Sequence, residues 1–269
     1  MNEKNYEFLA NQIKYTGFGE GLAEVLKEKL AQGAPEFTLR HEAAFGTDKT
    51  EATLHFRRSN ESDMYFFNRY NLALKNDKLQ EPLQQSFYIN GKQDNITLKE
   101  GYNLLSGRAV HKDLTTKEGE SYRAWVQLDF KQSEANGNFK TKQFREAYGF
   151  DLEQALNKHN IKELQTPEDR DSLVRSLERG NRQAVTLEAE GGPKQIFIEA
   201  APQFKSLNLY EPNGRRIING KEIGQDSTKE GVRLEQGKGQ SKGQKLKAGS
   251  DGEGSTQKKA SRKSRNSIS

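Results

Sequence analysis

The chain has no cysteine, one tryptophan, two methionines and six prolines in 269 residues. Without cysteine there are no disulfide staples, no thiolate metal sites and no thiol nucleophile, and a reducing cytoplasm is compatible with that usage. No apolar run approaches the ~20 residues that cross a bilayer. The start Met1-Asn2-Glu3-Lys4-Asn5-Tyr6 carries neither the basic cluster nor the apolar stretch of a signal peptide, so a soluble protein is expected. Hydrophobic residues make up 32% of the chain and charged residues 30%. That balance favours several small units over one thick core.

Catalytic patterns are missing as well. There is no Gly-x-Ser-x-Gly elbow and no Ser-x-x-Lys pair. Gly17-x-Gly19-x-Gly21 precedes a helix but follows no buried strand and is not completed by Gly-Lys-Ser/Thr, so it reads as a turn between helices rather than a phosphate cradle. The four histidines, His41, His55, His111 and His159, lack metal-ligand spacing. Only His41 and His55, facing each other across a hairpin with Glu42 or Glu51 nearby, offer a route to a metal, and ordinary strand histidines are the simpler reading. No enzyme activity, cofactor, metal or small-molecule substrate is expected.

What the chain does have is a spacing. Leu30-x-x-Gly33, Leu104-x-x-Gly107 and Leu177-x-x-Gly180 end three amphipathic stretches, with the glycines 74 and 73 residues apart. Strand-like alternation follows each: Phe37-Thr38-Leu39 and Ala52 to Phe56, then Val126 to Phe130, then Val185-Thr186-Leu187 and Ile196-Phe197-Ile198. A fixed period of this size marks a duplicated supersecondary unit. The simpler alternative is three ordinary helix ends, because Gly readily takes the left-handed conformation at C′. The expected fold is α+β: about three repeated units of one helix plus an antiparallel β-meander, spanning 1–93, 94–165 and 166–213, followed by a disordered basic tail over 214–269. Helices are expected over 3–14 and 20–32, with Leu22, Val25, Leu26 and Leu30 forming the buried stripe of the second. A capping box, Thr97 to Glu100, opens the third helix. Asp151 caps a short helix in the second unit. Thr166 stands as N-cap with Pro167 at N1 of the helix that opens the third unit.

Charge divides as sharply as structure. From Gly214 onward there are 14 Lys and Arg against 6 Asp and Glu, leaving 29 against 32 before it. Ten of the 24 glycines also fall there. Residues 224–269 are read as disordered, since nothing in them buries enough apolar surface to offset ordering. Lys258, Lys259, Arg262, Lys263 and Arg265 form a cationic run suited to DNA or RNA phosphates, with salt-sensitive binding. A purely solubilising tail is the competing reading.

A second candidate is Met64 to Tyr70 with Arg57 and Arg58 one strand earlier. Aromatics and Arg interleaved on an open sheet make a stacking platform for single-stranded nucleic acid. Aromatics on strands more commonly fill cores, and strict alternation sets Tyr65, Phe67 and Arg69 against Phe66, Asn68 and Tyr70, leaving one or two for display. Arg57, Arg58 and Arg69 are the body's candidate phosphate contacts. Trp125, in Tyr122-Arg123-Ala124-Trp125, is read as a core anchor.

Tyr15-Thr16-Gly17-Phe18-Gly19-Glu20, Asp63 to Asn68, Asn95 to Glu100, Leu104 to Val110 and Gly180-Asn181-Arg182-Gln183 together carry a resemblance. Over about residues 1–212 the chain resembles uncharacterised proteins, with domains of unknown function, carried on conjugative transposons and plasmids of Bacteroides-type bacteria. The resemblance transfers no functional residue. It implies a bacterial cytoplasm and DNA-handling neighbours. The resulting expectation is a non-enzymatic accessory protein that binds nucleic acid, a protein of the same element, or both; the alternative is a protein-interaction adaptor.

Overall fold

The computed structural model describes residues 2–90, 95–116, 118–189, 191–218 and 221–222. The tail cations Lys258, Lys259, Arg262, Lys263 and Arg265 and the expected disorder of 224–269 lie outside the described residues. Within them the protein is α+β, with five α-helices and three antiparallel sheets.

The Asn2 side chain accepts the Asn5 N–H at 3.1 Å and opens α1 (Glu3–Ile13). Leu9 and Ile13 face inward. Asn5, on the same side, pairs its amide with both backbone groups of Tyr65, at 3.0 and 2.7 Å. A wide helical turn, Lys14–Phe18, extends the helix further than its glycines suggest and drives Phe18 edge-on against Tyr70, 5.1 Å between centroids. After it, α2 (Ala23–Gln32) buries Leu26 and Leu30 and leaves Val25 43% exposed, so its apolar stripe is narrower than expected.

These helices pack on one face of a four-stranded meander, β1 (Glu36–Phe45), β2 (Asp48–Arg58), β3 (Tyr65–Lys75) and β4 (Leu83–Tyr88), in sequential order. The buried face carries Phe37, Leu39, Leu54, Phe56, Phe67 and Leu72. Burying each such side chain is worth about 1.5–3 kcal/mol.

Helix α3 (Leu98–Leu105) returns to the same core, and its Thr97–Glu100 capping box forms as expected: Thr97 N–H donates to Glu100 Oε2 at 2.9 Å and Glu100 N–H to Thr97 Oγ1 at 3.4 Å. The second sheet, β5 (Val110–Thr115), β6 (Ser121–Ser133) and β7 (Phe139–Arg145), lies between two hydrophobic clusters. Val126 and Leu128 of β6 join the first cluster, whereas Trp125 joins the second. Burial on both sides explains why Ala124, Trp125 and Val126 are buried consecutively, where a half-solvated strand would alternate.

Asp151 accepts the Gln154 N–H at 3.0 Å and caps α4 (Leu152–Leu156). Pro167 takes the first position of α5 (Pro167–Glu178), but Thr166 does not cap the backbone as expected. Its hydroxyl donates instead to Asp169 Oδ2 at 2.7 Å. The third sheet runs β8 (Gln183–Leu187), β9 (Lys194–Ala201), β10 (Ser206–Tyr210), β11 (Arg216–Ile218) and β12 (Lys221–Glu222), so the tail expected to be disordered from 214 is corrected at its start: Ile217 pairs with Leu209 and Arg216 with Tyr210, and the sheet runs past 213.

All three Leu-x-x-Gly motifs are helix ends. Gly33, Gly107 and Gly180 have φ of 69°, 82° and 78°. At the last two the full Schellman pattern forms: Gly107 N–H to Leu104 O with Arg108 N–H to Asn103 O, and Gly180 N–H to Leu177 O with Asn181 N–H to Ser176 O. Gly180 also sits against β5, where an added Cβ would stand 2.8 Å from Ala109 O and 3.1 Å from Asn103 Cβ. Asn103, fully buried, donates to Arg179 O at 2.6 Å and Asn181 Oδ1 at 3.0 Å, stapling the end of α3 to the end of α5. Beside it, buried Glu199 accepts from Arg182 at 2.7 Å and from Tyr210 at 2.9 Å.

Sheet edges are closed by side chains. The Gln85 amide pairs with both backbone groups of Phe139, at 3.4 and 2.9 Å, and Ser86 N–H donates to Asn138 Oδ1 at 2.9 Å, so β4 meets the β6–β7 hairpin through amides in place of a ladder. On β8, Glu163 accepts the Thr186 N–H with both oxygens at 3.0 Å.

Candidate nucleic-acid interface on the first sheet

With α1, α2 and α3 behind it, the other face of the first sheet is left to solvent. Period-2 alternation assigns Thr38 and Arg40 of β1, Thr53, His55 and Arg57 of β2, and Ser86 and Tyr88 of β4 to that face. The antiparallel register then builds rows across the strands. Glu36 stands opposite Arg57 and Arg57 opposite Phe66. Thr38, His55, Arg69 and Tyr88 make the next row, and Arg40, Thr53, Asn71 and Ser86 the one after.

One irregularity decides what β3 contributes. Between His55 and Phe56 the register with β2 shifts, and Asn68 becomes the extra residue of a bulge. Before it Tyr65 and Phe67 point inward and Phe66 outward; after it Tyr70 points inward and Arg69 outward. The strict alternation read from the sequence is therefore corrected: Tyr65, Phe67 and Tyr70 are all core, and Phe66 and Arg69 both belong to the open face.

Phe66 is 49% exposed and Tyr88 61%. Between Tyr88 and β1 lies a shallow groove of about 440 Å³, bordered by Glu36, Thr38, His55, Arg57, Arg69 and Tyr88. Arg57 makes one ion pair, to Glu36 at 3.5 Å, with both side chains more than half exposed, and such pairs contribute little. Arg40 and Arg69 form no hydrogen bond or ion pair among the described residues. Towards the opposite end the face becomes mixed, with Glu51 bonded to Lys75.

In the middle of the face the polar groups bond to each other. Ser86 Oγ donates to Asn71 Oδ1 at 2.9 Å, and the Asn71 amide N–H reaches His55 Nε2 at 3.1 Å. In this amide orientation Nε2 accepts, as a neutral imidazole can. Burial, reinforced by the Arg69 charge, lowers the His55 pKa from its ordinary value and favours the neutral ring.

The remaining candidates fall elsewhere. Arg58 has the opposite parity from Arg57 and lines a small polar hollow with Asn2, Asp63 and Tyr65 on the helix side, so it is removed from the group formed by Arg57 and Arg69. His41 and His55 do not face each other: the register pairs His41 with Ala52 and His55 with Thr38, and His41 turns inward onto Phe18, 5.4 Å between centroids. No cluster of three His, Asp or Glu gathers to hold a metal among the described residues. Trp125 is buried, stacked on His111 at 4.9 Å. Sequence reasoning missed Arg40 and Tyr88. Their signal was present in the alternation Phe37-Leu39 against Arg40, and in Phe87 next to Tyr88.

Comparison of the chain with protein-family models, with curated proteins and with solved structures returns no match. No helix among the described residues is long and apolar enough to cross a membrane.

Proposed function

We propose that this protein is a non-enzymatic accessory protein of a mobile genetic element, acting in the bacterial cytoplasm and binding nucleic acid through the open face of its first sheet and its basic tail. The observation that carries the reading is the open face on which Arg40, Arg57 and Arg69 stand, with Glu36 opposite Arg57 and Glu42 two residues beyond Arg40 as the nearby acids. Guanidinium groups without buried partners, exposed at Arg40 and Arg57 and half-buried at Arg69, are available to phosphates and can hold them bidentately. Lys258, Lys259, Arg262, Lys263 and Arg265 add a sequence-independent attraction, steeply reduced by salt. In the same proposal the segments 1–93, 94–165 and 166–213 are copies of one helix-plus-meander unit. The shared helix ends at Gly33, Gly107 and Gly180 support that reading.

The test is binding of labelled DNA and RNA across a salt series. Each phosphate contact contributes about 0.7 log units of affinity per decade of salt for a single strand. Deleting 224–269 and replacing Arg57 and Arg69 by Gln are expected to lower the slope separately, the two arginines together by roughly 1–1.5 log units. Full-length protein that moves neither DNA nor RNA at low salt overturns the proposal. A pull-down of a protein partner that survives both nuclease and tail removal points to the adaptor reading instead.

A further inference from the structure

Whether duplex or single strand fits the open face is decided by width and by the residues on its rows. Four strands at ~4.8 Å spacing extend ~14 Å between the outer backbones, before side chains are added. A duplex major groove is ~12 Å wide and admits one helix or a two-stranded ribbon. The face is therefore too broad to enter a major groove, whereas unpaired bases can lie flat on its rings.

The register supplies what an unpaired strand needs. Phe66 on β3 stands directly opposite Arg57 on β2, and Tyr88 on β4 stands directly opposite Arg69 on β3. Each of these two rows joins one exposed aromatic ring to one arginine on the neighbouring strand. A ring offers its face to a base, and the arginine beside it offers a guanidinium to that nucleotide's phosphate. On β2 the two rows stand at Arg57 and His55, two residues or ~7 Å apart, so the two aromatic–arginine rows are successive footholds. Asn68, on the bulge between them, presents a carboxamide suited to a base edge.

The sugar is addressed differently. His55 in the Tyr88 row is bonded into one chain with Asn71 and Ser86 of the next row. They leave little to reward a 2′-hydroxyl, the group by which a protein favours RNA.

We infer that the open face of the first sheet is a binding site for single-stranded DNA, with bases stacked on Phe66 and Tyr88 and phosphates held by Arg57 and Arg69. This rests on the nucleic-acid reading above and goes further by fixing strandedness, sugar and stacking residues.

The experiment uses the full chain and fluorescence anisotropy with a labelled 15-nucleotide oligo-dT, the matching dT·dA duplex and oligo-U. Oligo-dT is expected to bind at least tenfold more tightly than the duplex and no less tightly than oligo-U. Phe66→Ala and Tyr88→Ala are each expected to weaken oligo-dT about tenfold to a hundredfold, while Tyr88→Trp retains affinity. Thermal melting of each variant, expected to match the parent, separates lost stacking from lost folding. Equal binding of duplex and single strand, tighter binding of oligo-U, or Phe66→Ala and Tyr88→Ala variants that bind as the parent overturns the inference. If Arg57→Gln with Arg69→Gln still weakens binding in those cases, the nucleic-acid reading survives. Absence of binding to all three oligonucleotides removes both.

Discussion

Two tyrosine–arginine pairs, one on the first sheet and one on the third, do different work. In the third sheet, the Arg182 guanidinium lies 4.1 Å from the centre of the Tyr210 ring, and both bond to Glu199, which is 5% exposed. Burial, strengthened by the Glu199 charge, pushes the Tyr210 hydroxyl up to about 12. In the first sheet, Tyr88 stands opposite Arg69 in register with no carboxylate in their row, and the neighbouring polar side chain is a neutral histidine. The residue types match; the acid makes the difference. Where a buried carboxylate completes the pair, arginine and tyrosine are spent on holding two segments together. Where it is missing and water reaches both side chains, they remain free to meet something else.

Stability is the first way to break this contrast, since only the closed region should be sensitive. Gly180→Ala is expected to cost the most, about 3–4 kcal/mol, because the new Cβ meets Ala109 O at 2.8 Å in a left-handed backbone. Urea unfolding measures it. Glu199→Ala should follow, at about 2 kcal/mol, by leaving Arg182 without its carboxylate; Arg182 keeps 38% side-chain exposure, which moderates the loss. Gly33→Ala isolates conformation from packing, since nothing lies within 4 Å of the added Cβ at φ 69°. Its expected cost is about 1 kcal/mol, and a cost equal to that at Gly180 would erase the distinction between the two helix ends.

Acidification sharpens the contrast more gently. His41, His55 and His159 all have pKa values lowered by burial. A folded-state pKa below that of the unfolded chain means the unfolded chain binds more protons as pH falls past about 6.5, so stability declines until the folded pKa is passed. The expected fall in Tm between pH 7.5 and 5.5 is about 2 °C. Over the same interval His55 gains charge beside Arg57, Arg69 and Glu36, so oligo-dT affinity should rise slightly as Tm drops. Smallest of all, Arg57→Gln and Arg69→Gln should move stability by less than about 0.5 kcal/mol while weakening binding. A large stability loss at Arg69 would place it with Arg182.

The sequence made the helix ends and the meanders legible because they depend on local rules. Leu-x-x-Gly, the Thr97–Glu100 capping box and Pro167 act within one turn of backbone. Strand order followed because every consecutive pair of strands within each sheet is an antiparallel hairpin connection. Long-range choices were not legible. Thr166 turned to Asp169 rather than the backbone, Val25 stayed in water, and Arg58 fell on the helix side. The Gln85–Phe139 pairing joins residues 54 apart, and no local pattern marks it. At the candidate site, Arg57 and Phe66 were found by composition, whereas Arg40 and Tyr88 needed the register.

The bulge at Asn68 gives the open face an unusual genetic tolerance. Beyond it, every side chain of β3 stands on the side opposite to the one simple counting assigns, because Asn68 has no partner on β2. Removing that single codon would leave Phe66 outward, Phe67 inward, Arg69 outward and Tyr70 inward by plain alternation, with Phe67 still opposite Phe56 and Arg69 still opposite His55. The strand is one residue longer than its pattern requires, and it can lose that residue without a change of face on either side.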